Sequence, residues 1–206
     1  MSAARDGDSY ASRVVVRWMR GPTSLSWNIE SWDKLRNAVG RIVAMYYFMR
    51  SLGRVRGRSF LMFKTSRISV TGSGTIRIGR RTVIGPGARI VVKDAVLRIG
   101  DDVFIGHNST LIAFADIAIG DGALIGQNVS VHTENHGAAG ERMKYSSAPI
   151  TIGSGSWLAA GVVVTSGSKV GVGATVGANA VVTSDISANS TAVGVPAREL
   201  SKKVKA

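Results

Sequence analysis

Between Ile150 and Val182, apolar residues recur every six positions: Ile152, Leu158, Val164, Val170, Val176 and Val182. A spacing of six fits neither the 3.6-residue turn of a helix nor the simple alternation of a half-exposed strand. It is the period of a solenoid, in which short parallel strands joined by tight bends each turn one aliphatic side chain inward. Upstream the same count gives three triplets: Ile78, Ile84 and Ile90; Ile99, Ile105 and Leu111; Ile119, Ile125 and Val131. Glycine follows directly at Gly79, Gly85, Gly100, Gly106, Gly120 and Gly126, which suits a chain that must bend every few residues. Three hexapeptides close one roughly triangular coil. The two or three extra residues between triplets are expected to bulge at one corner, and the whole repeat to make five to six coils.

The count divides the chain into a basic N-terminal segment (1–67), a β-solenoid (68–186) and a C-terminal tail (187–206). A helix is expected over about 31–52, with Ser31 as N-cap, Asp33 in the first turn and Gly53 as the stop. Leu35, Ala38, Val39, Ile42, Tyr46 and Met49 recur at helical spacing and make one apolar face. That face is expected to cap the open end of the first coil, as solenoids require. A basic amphipathic helix also fits contact with a membrane surface. The run Arg54-Val-Arg-Gly-Arg58 reads as a solvated connector. Between His132 and Pro149 the six-residue period stops, and a polar loop holding His132 and His136 is thrown out. A loop leaving a regular solenoid usually carries function.

Composition narrows the chemistry. The chain has no cysteine, which removes disulfides, thiolate metal sites and a cysteine nucleophile. The net charge of +13 is concentrated at the start, where residues 1–67 hold 13 Lys/Arg against 4 Asp/Glu. No zinc-finger, RNP or helix-turn-helix pattern accompanies this charge, so a nucleic-acid partner is not expected. Residues 1–10 lack a basic and then apolar signal layout, and no apolar run is long enough to span a bilayer. The expectation is a cytoplasmic protein, or one held peripherally at the membrane.

Several motifs stand in order: the Ile-Gly hexapeptides, Asn128-Val-Ser-Val-His-Thr-Glu-Asn-His136, Ala148-Pro-Ile-Thr-Ile-Gly-Ser-Gly-Ser-Trp157 and Gly194-Val-Pro-Ala-Arg198. Together they resemble the hexapeptide-repeat acyltransferases, particularly O-acetyltransferases of the galactoside, maltose and surface-polysaccharide type. The resemblance covers about residues 68–200. It implies a left-handed parallel β-helix, a homotrimer with active sites between subunits, and acetyl-CoA as acyl donor with no metal.

By the same resemblance His136 is the general base. A sugar hydroxyl attacks a thioester only as its proton is removed, and neutral imidazole is suited to that near pH 7. Ala160, Ala178, Thr183, Ser184 and Arg198 fall where relatives contact the cofactor. Arg198 is suited to a phosphate. Asp116, His132, Glu134 and Asn135 are candidates for the acceptor pocket. Trp157 reads first as a coil residue, then as a wall of the cofactor cleft. The expected reaction is acetyl transfer to a hydroxyl of a sugar or of a polysaccharide or lipid-linked glycan precursor. Alternatives are an amine acceptor, a non-catalytic trimeric scaffold, and a carbonic anhydrase-like metal enzyme that uses histidines across an interface.

Overall fold

The computed structural model describes residues 29–51, 53–57, 59–63, 65–136 and 145–200, with side chains from Ala38 onward except Ala44. Among the described residues one helix, α1 (Ile29–Arg50), precedes the strands. The first coil is β1 (Val55–Gly57), β2 (Phe60–Met62) and β3 (Arg67–Thr71), and the second is β4 (Thr75–Ile78), β5 (Thr82–Ile84) and β6 (Arg89–Lys93). Then come β7 (Val96–Ile99), β8 (Phe104–Ile105) and β9 (Thr110–Ala113), followed by β10 (Ile117–Ile119), β11 (Leu124–Ile125) and β12 (Ser130–His132). An arm of β13 (Glu134–His136) and β14 (Tyr145–Ser147) interrupts the series. Two more coils follow: β15 (Ile150–Ile152), β16 (Trp157–Leu158) and β17 (Val163–Val164), then β18 (Lys169–Val170), β19 (Thr175–Val176) and β20 (Val181–Val182). β21 (Thr191–Val193) and β22 (Arg198–Glu199) end the described chain.

Corresponding strands of successive coils pair in parallel, giving three sheets, one per side of the coil. Sheet one runs β1-β4-β7-β10-β15-β18 and sheet three runs β3-β6-β9-β12-β17-β20. Sheet two runs β2-β5-β8-β11-β16-β19-β21 and closes with the antiparallel β22. The hexapeptide register is the register of the core. Ile99, Ile119, Ile152 and Val170 are stacked Cα partners in sheet one, as are Ile105, Ile125, Leu158 and Val176 in sheet two. Leu111, Val131, Val164 and Val182 do the same in sheet three, and all twelve are buried. The extra residues between triplets lie, as expected, at the corner between sheets three and one.

Two features of the sequence make the corners tight. One column of bends, at Gly87, Asn108, Asn128, Gly161 and Asn179, lies in the left-handed region that Gly and Asn tolerate best. In the Ile-Gly pairs the glycine is needed for close approach: a Cβ at Gly106 would lie 2.5 Å from the Gly126 carbonyl of the next coil. Carboxylates then staple coil to coil by accepting backbone N–H groups. Asp94 accepts from Ser73 at 2.8 Å, Asp101 from Arg80 at 2.7 Å, and Asp121 from the Asp101 N–H at 2.7 Å. Buried hydroxyls are satisfied in the same way: Ser109 donates to the Gly126 carbonyl at 2.8 Å and accepts the Val129 N–H.

The solenoid extends further in both directions than the hexapeptide count implies. Its first coil starts at Val55, inside the expected 1–67 segment, and part of the Arg54–Arg58 run is strand β1 rather than connector. Val55 and Phe60 are buried there without the Ile-Gly signature. At the other end Ile186, the last residue of the expected solenoid, bridges to Val170, and Ala192, inside the expected tail, stacks on Val176.

The helix differs more. It is already helical at Ile29, so Ser31 lies within its first turn rather than at the cap. Gly53 does end it, with φ of +79° and its N–H on the Phe48 carbonyl at 2.8 Å. The helix covers β1 and β2 as a cap, but through Gly40, Val43 and Tyr47. Val39, Ile42, Tyr46 and Met49, expected to be buried, point outward. The reason is shape. A Cβ at Gly40 would lie 2.6 Å from Ser59 Oγ and 3.1 Å from the Phe60 nitrogen, so glycine lets the helix backbone sit directly on β2. Tyr47 then packs beside Phe60, with ring centroids 6.2 Å apart, and burial raises its phenol pKa.

Ile125→Ala in the fourth coil is expected to cost about 2–5 kcal/mol in denaturant unfolding, because the stacked column cannot collapse into the gap; a cost within experimental error of zero would contradict this packing. The Asp101 carboxyl is held below its ordinary value, chiefly by the Arg80 N–H. A depressed carboxyl adds stability that is complete at neutral pH and is lost as the pH falls through the folded-state value. The unfolding midpoint of Asp101→Asn is therefore expected to fall less steeply in acid than that of the unsubstituted protein. Identical slopes would remove this staple from the acid response.

Candidate active site

The arm grows from the corner between sheets three and one. Thr133 fixes its root. Buried completely, its Oγ1 accepts the N–H groups of Phe114 at 2.8 Å and Ala115 at 3.1 Å, tying the departing chain to the coil before. Its carbonyl accepts the Ser166 hydroxyl at 2.7 Å and the Ala148 N–H at 3.1 Å. The Ala148 N–H also reaches Ser166 Oγ at 2.9 Å, so the outgoing and returning chains are clamped together. Beyond the clamp, β13 and β14 pair antiparallel, Glu134 opposite Ser147, Asn135 opposite Ser146 and His136 opposite Tyr145.

His136 therefore stands in the outermost described pair of a short, anchored ribbon, exposed to solvent. Residues two apart on a strand share a face, so Glu134 lies on the same side of the ribbon as His136 and Asn135 on the other. Glu134 meets His132 instead, with its Oε1 3.9 Å from His132 Nδ1. His132 Nε2 and Glu134 Oε2 are both enclosed, and neither has a hydrogen-bond partner among the described residues. An enclosed donor or acceptor left unpaired is costly, and a bound hydroxyl group would satisfy either atom. Asp116 is at the same corner but is already engaged: Oδ1 accepts the Val96 N–H at 2.9 Å and Oδ2 meets Arg98 at 3.2 Å. Its place in the structure is that of a coil staple.

The five residues expected to meet the cofactor fall in two places. Ala160 and Ala178 occupy consecutive levels of the corner between sheets two and three, where the Asn179 N–H bonds to the Ala160 carbonyl at 2.9 Å. The C-terminal segment reaches this corner too. The Val181 N–H meets the Gly194 carbonyl at 3.0 Å and the Ala197 N–H meets the Val181 carbonyl at 2.7 Å. Arg198 follows, exposed in β22, with one guanidinium N–H on the carbonyl of Ala197 at 2.8 Å. Thr183 and Ser184 instead lie exposed after β20, on the same corner as the arm. Trp157 projects outward from sheet two, half exposed. Among the described residues, no three His, Asp or Glu side chains come close enough together to hold a metal ion.

Comparison with known proteins fits this geometry. A family model described as the hexapeptide repeat of succinyl-transferase matches residues 96–132 and 144–166, before and after β13. Nodulation protein L of Rhizobium meliloti is 30% identical over 125 residues, covering 56% of this chain and 67% of that protein. The chain belongs to the hexapeptide-repeat acyltransferase family. The galactoside O-acetyltransferase of Escherichia coli K12 is 35% identical over 105 residues, 50% of this chain and 52% of that protein. This family member thus spans about half the length of several of the curated relatives it matches. Among solved structures, AntD, an N-acyltransferase from Bacillus cereus crystallised as a mutant with dTDP and coenzyme A, aligns with a TM-score of 0.62. That alignment has 18% identity and covers 84% of this chain and 89% of the other, a likeness of fold.

Sequence reasoning on this hexapeptide-repeat protein missed Thr133 and Ser166, which hold the arm. The available signal was a hydroxyl residue just inside the break in period, and another where the chain first returns to the same corner after it. Thr133→Val is expected to leave the Phe114 and Ala115 N–H groups without their acceptor, at about 1–3 kcal/mol. The readout is hydrogen exchange, which should quicken at Phe114, Ala115, β14 and Ala148 while sheet two stays protected. Unchanged exchange in the arm would show that the clamp does not depend on Thr133.

Proposed function

We propose that the protein moves an acetyl group from acetyl-CoA to a hydroxyl of a sugar, or of a polysaccharide or lipid-linked glycan precursor, with His136 as general base. The observation that carries this reading is the placement of His136: an exposed imidazole on a ribbon clamped to the side of the solenoid. The Escherichia coli relative, named a galactoside O-acetyltransferase, supports the acceptor class.

The chemistry is a direct transfer. Neutral His136 takes the proton of the acceptor hydroxyl as that oxygen attacks the thioester carbonyl. Backbone N–H groups of the cleft stabilise the charge that builds on the carbonyl oxygen. As the C–S bond breaks, the imidazolium returns its proton to the departing sulfur, leaving an acetyl ester and free thiol. No covalent enzyme intermediate is needed, consistent with a chain that has no cysteine. His132 and Glu134 line the acceptor side, and Asn135 faces the other side of the ribbon. The unpaired Nε2 of His132 and Oε2 of Glu134 are the groups suited to sugar hydroxyls.

A homotrimer with active sites between subunits explains why the candidates divide. In one chain, sheet three separates the arm's corner from the Ala160 and Ala178 corner. If one subunit's arm leans over the next subunit's alanine corner, both halves join in one cleft. The small side chains of Ala160 and Ala178 then let the donor's pantetheine lie close to the backbone, Thr183 and Ser184 border it, and Arg198 meets a phosphate.

The test is thiol release from acetyl-CoA over a panel of sugars, lipid-linked glycans and amines, which the cysteine-free protein permits without background. Acceptor-dependent release is expected, with kcat lowered about 10²–10⁴-fold in His136→Ala and the oligomer unchanged. Turnover by His136→Ala equal to that of the unsubstituted protein would overturn the assignment. Release only with amines would replace the hydroxyl acceptor.

A further inference from the structure

The outward face of α1 has no partner within the described chain. Ile42, Met45, Tyr46 and Met49 stand at i, i+3, i+4 and i+7 and form a continuous stripe, extended by Val39 one turn earlier. Three of them are largely exposed: Ile42 at 70%, Met45 at 64% and Met49 at 69%. At about 100° per residue, Arg41 and Arg50 fall on the two borders of the stripe. Arg54 and Arg56, also exposed, continue the basic rim past the helix end.

The charge around this stripe is one-sided over a long distance. From Lys34 to Lys93, sixty residues hold 14 Lys/Arg and no Asp or Glu. Those residues are most of the helix and the first two coils. Residues 94–206 hold 8 Lys/Arg against 9 Asp/Glu. The helix-capped end of the solenoid is therefore strongly cationic, and the rest is nearly balanced.

We propose that this end docks on an anionic lipid surface, with Val39, Ile42, Met45, Tyr46 and Met49 buried at the headgroup boundary and the flanking arginines on lipid phosphates. An apolar stripe with basic borders is the pattern of an interfacial helix. No described helix is long and apolar enough to cross a bilayer, so α1 lies on the surface. The charge selects among occupants. A second copy would bring the same arginines against these, a like-charge contact that costs affinity. Residues 1–28 hold four Arg and two Asp and do not neutralise the rim. A nucleic acid would meet the arginines but leave the apolar stripe in water. An anionic membrane satisfies both. The proposal concerns a face remote in sequence from His136 and is independent of the acyl-transfer reading.

The test is sedimentation of the full chain with vesicles of phosphatidylcholine alone and with about a third phosphatidylglycerol. Binding is expected only to the anionic vesicles, and is expected to weaken in about 0.5 M salt. Ile42→Ser/Met49→Ser, on the exposed face, should lower the partition by about tenfold or more. Arg41→Gln/Arg50→Gln should lower it and flatten its salt dependence. Circular dichroism and sedimentation velocity on each variant report fold and assembly. Failure of the full chain to bind anionic vesicles, or equal binding by Ile42→Ser/Met49→Ser, would overturn the proposal. So would binding that appears only after residues 1–28 are removed, or retention of an oligonucleotide without vesicle binding. Loss of the oligomer in Ile42→Ser/Met49→Ser would instead assign the face to a second copy.

Discussion

Parallel pairing between coils is the interaction on which the rest of the structure depends. Each short strand takes its hydrogen bonds from the coils before and after it, so no strand is stable alone and none within the stack has a free edge. That pairing places every sixth residue directly over its counterpart 16 to 33 places away and buries the aliphatic columns. It also forces the backbone to bend three times per coil. Glycine and asparagine at the bends, buried hydroxyls beneath them and carboxylate staples across them all serve to let one coil approach the next. The staples add direction more than strength, since exposed charge pairs such as Arg80–Asp101 contribute little on their own.

A structure this regular makes an interruption meaningful. The solenoid tolerates the arm because the break falls at a corner, where no column is lost: Val131 and Ile150 remain buried on either side of it. The cost of leaving the coil is met locally by Thr133, Ser166 and Ala148, which satisfy the backbone groups exposed by the departure. The consequence for function is geometric. An imidazole on a coil corner would be one more side chain in a stack, whereas His136 on an anchored ribbon can enter a space between molecules. The reading of a cleft shared between subunits follows from that, together with the division of the small-residue and arm positions between two corners.

The two ends of the stack solve the edge problem differently. At the C-terminal end β22 folds back antiparallel on β21, and the Gly194–Ala197 segment crosses to β20. At the N-terminal end a helix covers β1 and β2 and presents a second apolar surface outward. Covering an end needs only one face of a helix. The other face is free to be selected for something else, and its arginine border gives it a distinct chemical character.

Much of the molecule was legible in the sequence. The six-residue period identified the inward residue of fifteen strands, β4 to β12 and β15 to β20, together with the number of coils and the bulging corner. It could do so because the constraint is local and repeated: each hexapeptide must supply an aliphatic residue inside and a small or left-handed residue at the bend. What the tertiary structure decided is whatever depends on a single, unrepeated contact. The first coil lacks the Ile-Gly signature and is defined only by pairing to the second. The docking face of α1 was set by how closely Gly40 lets two backbones approach, not by where apolar residues are densest. Asp116 was legible as a corner residue, but only the fold showed its carboxylate bound to Val96 and Arg98. Periodicity determines what every coil shares, and shape complementarity determines how the parts outside the period attach to it.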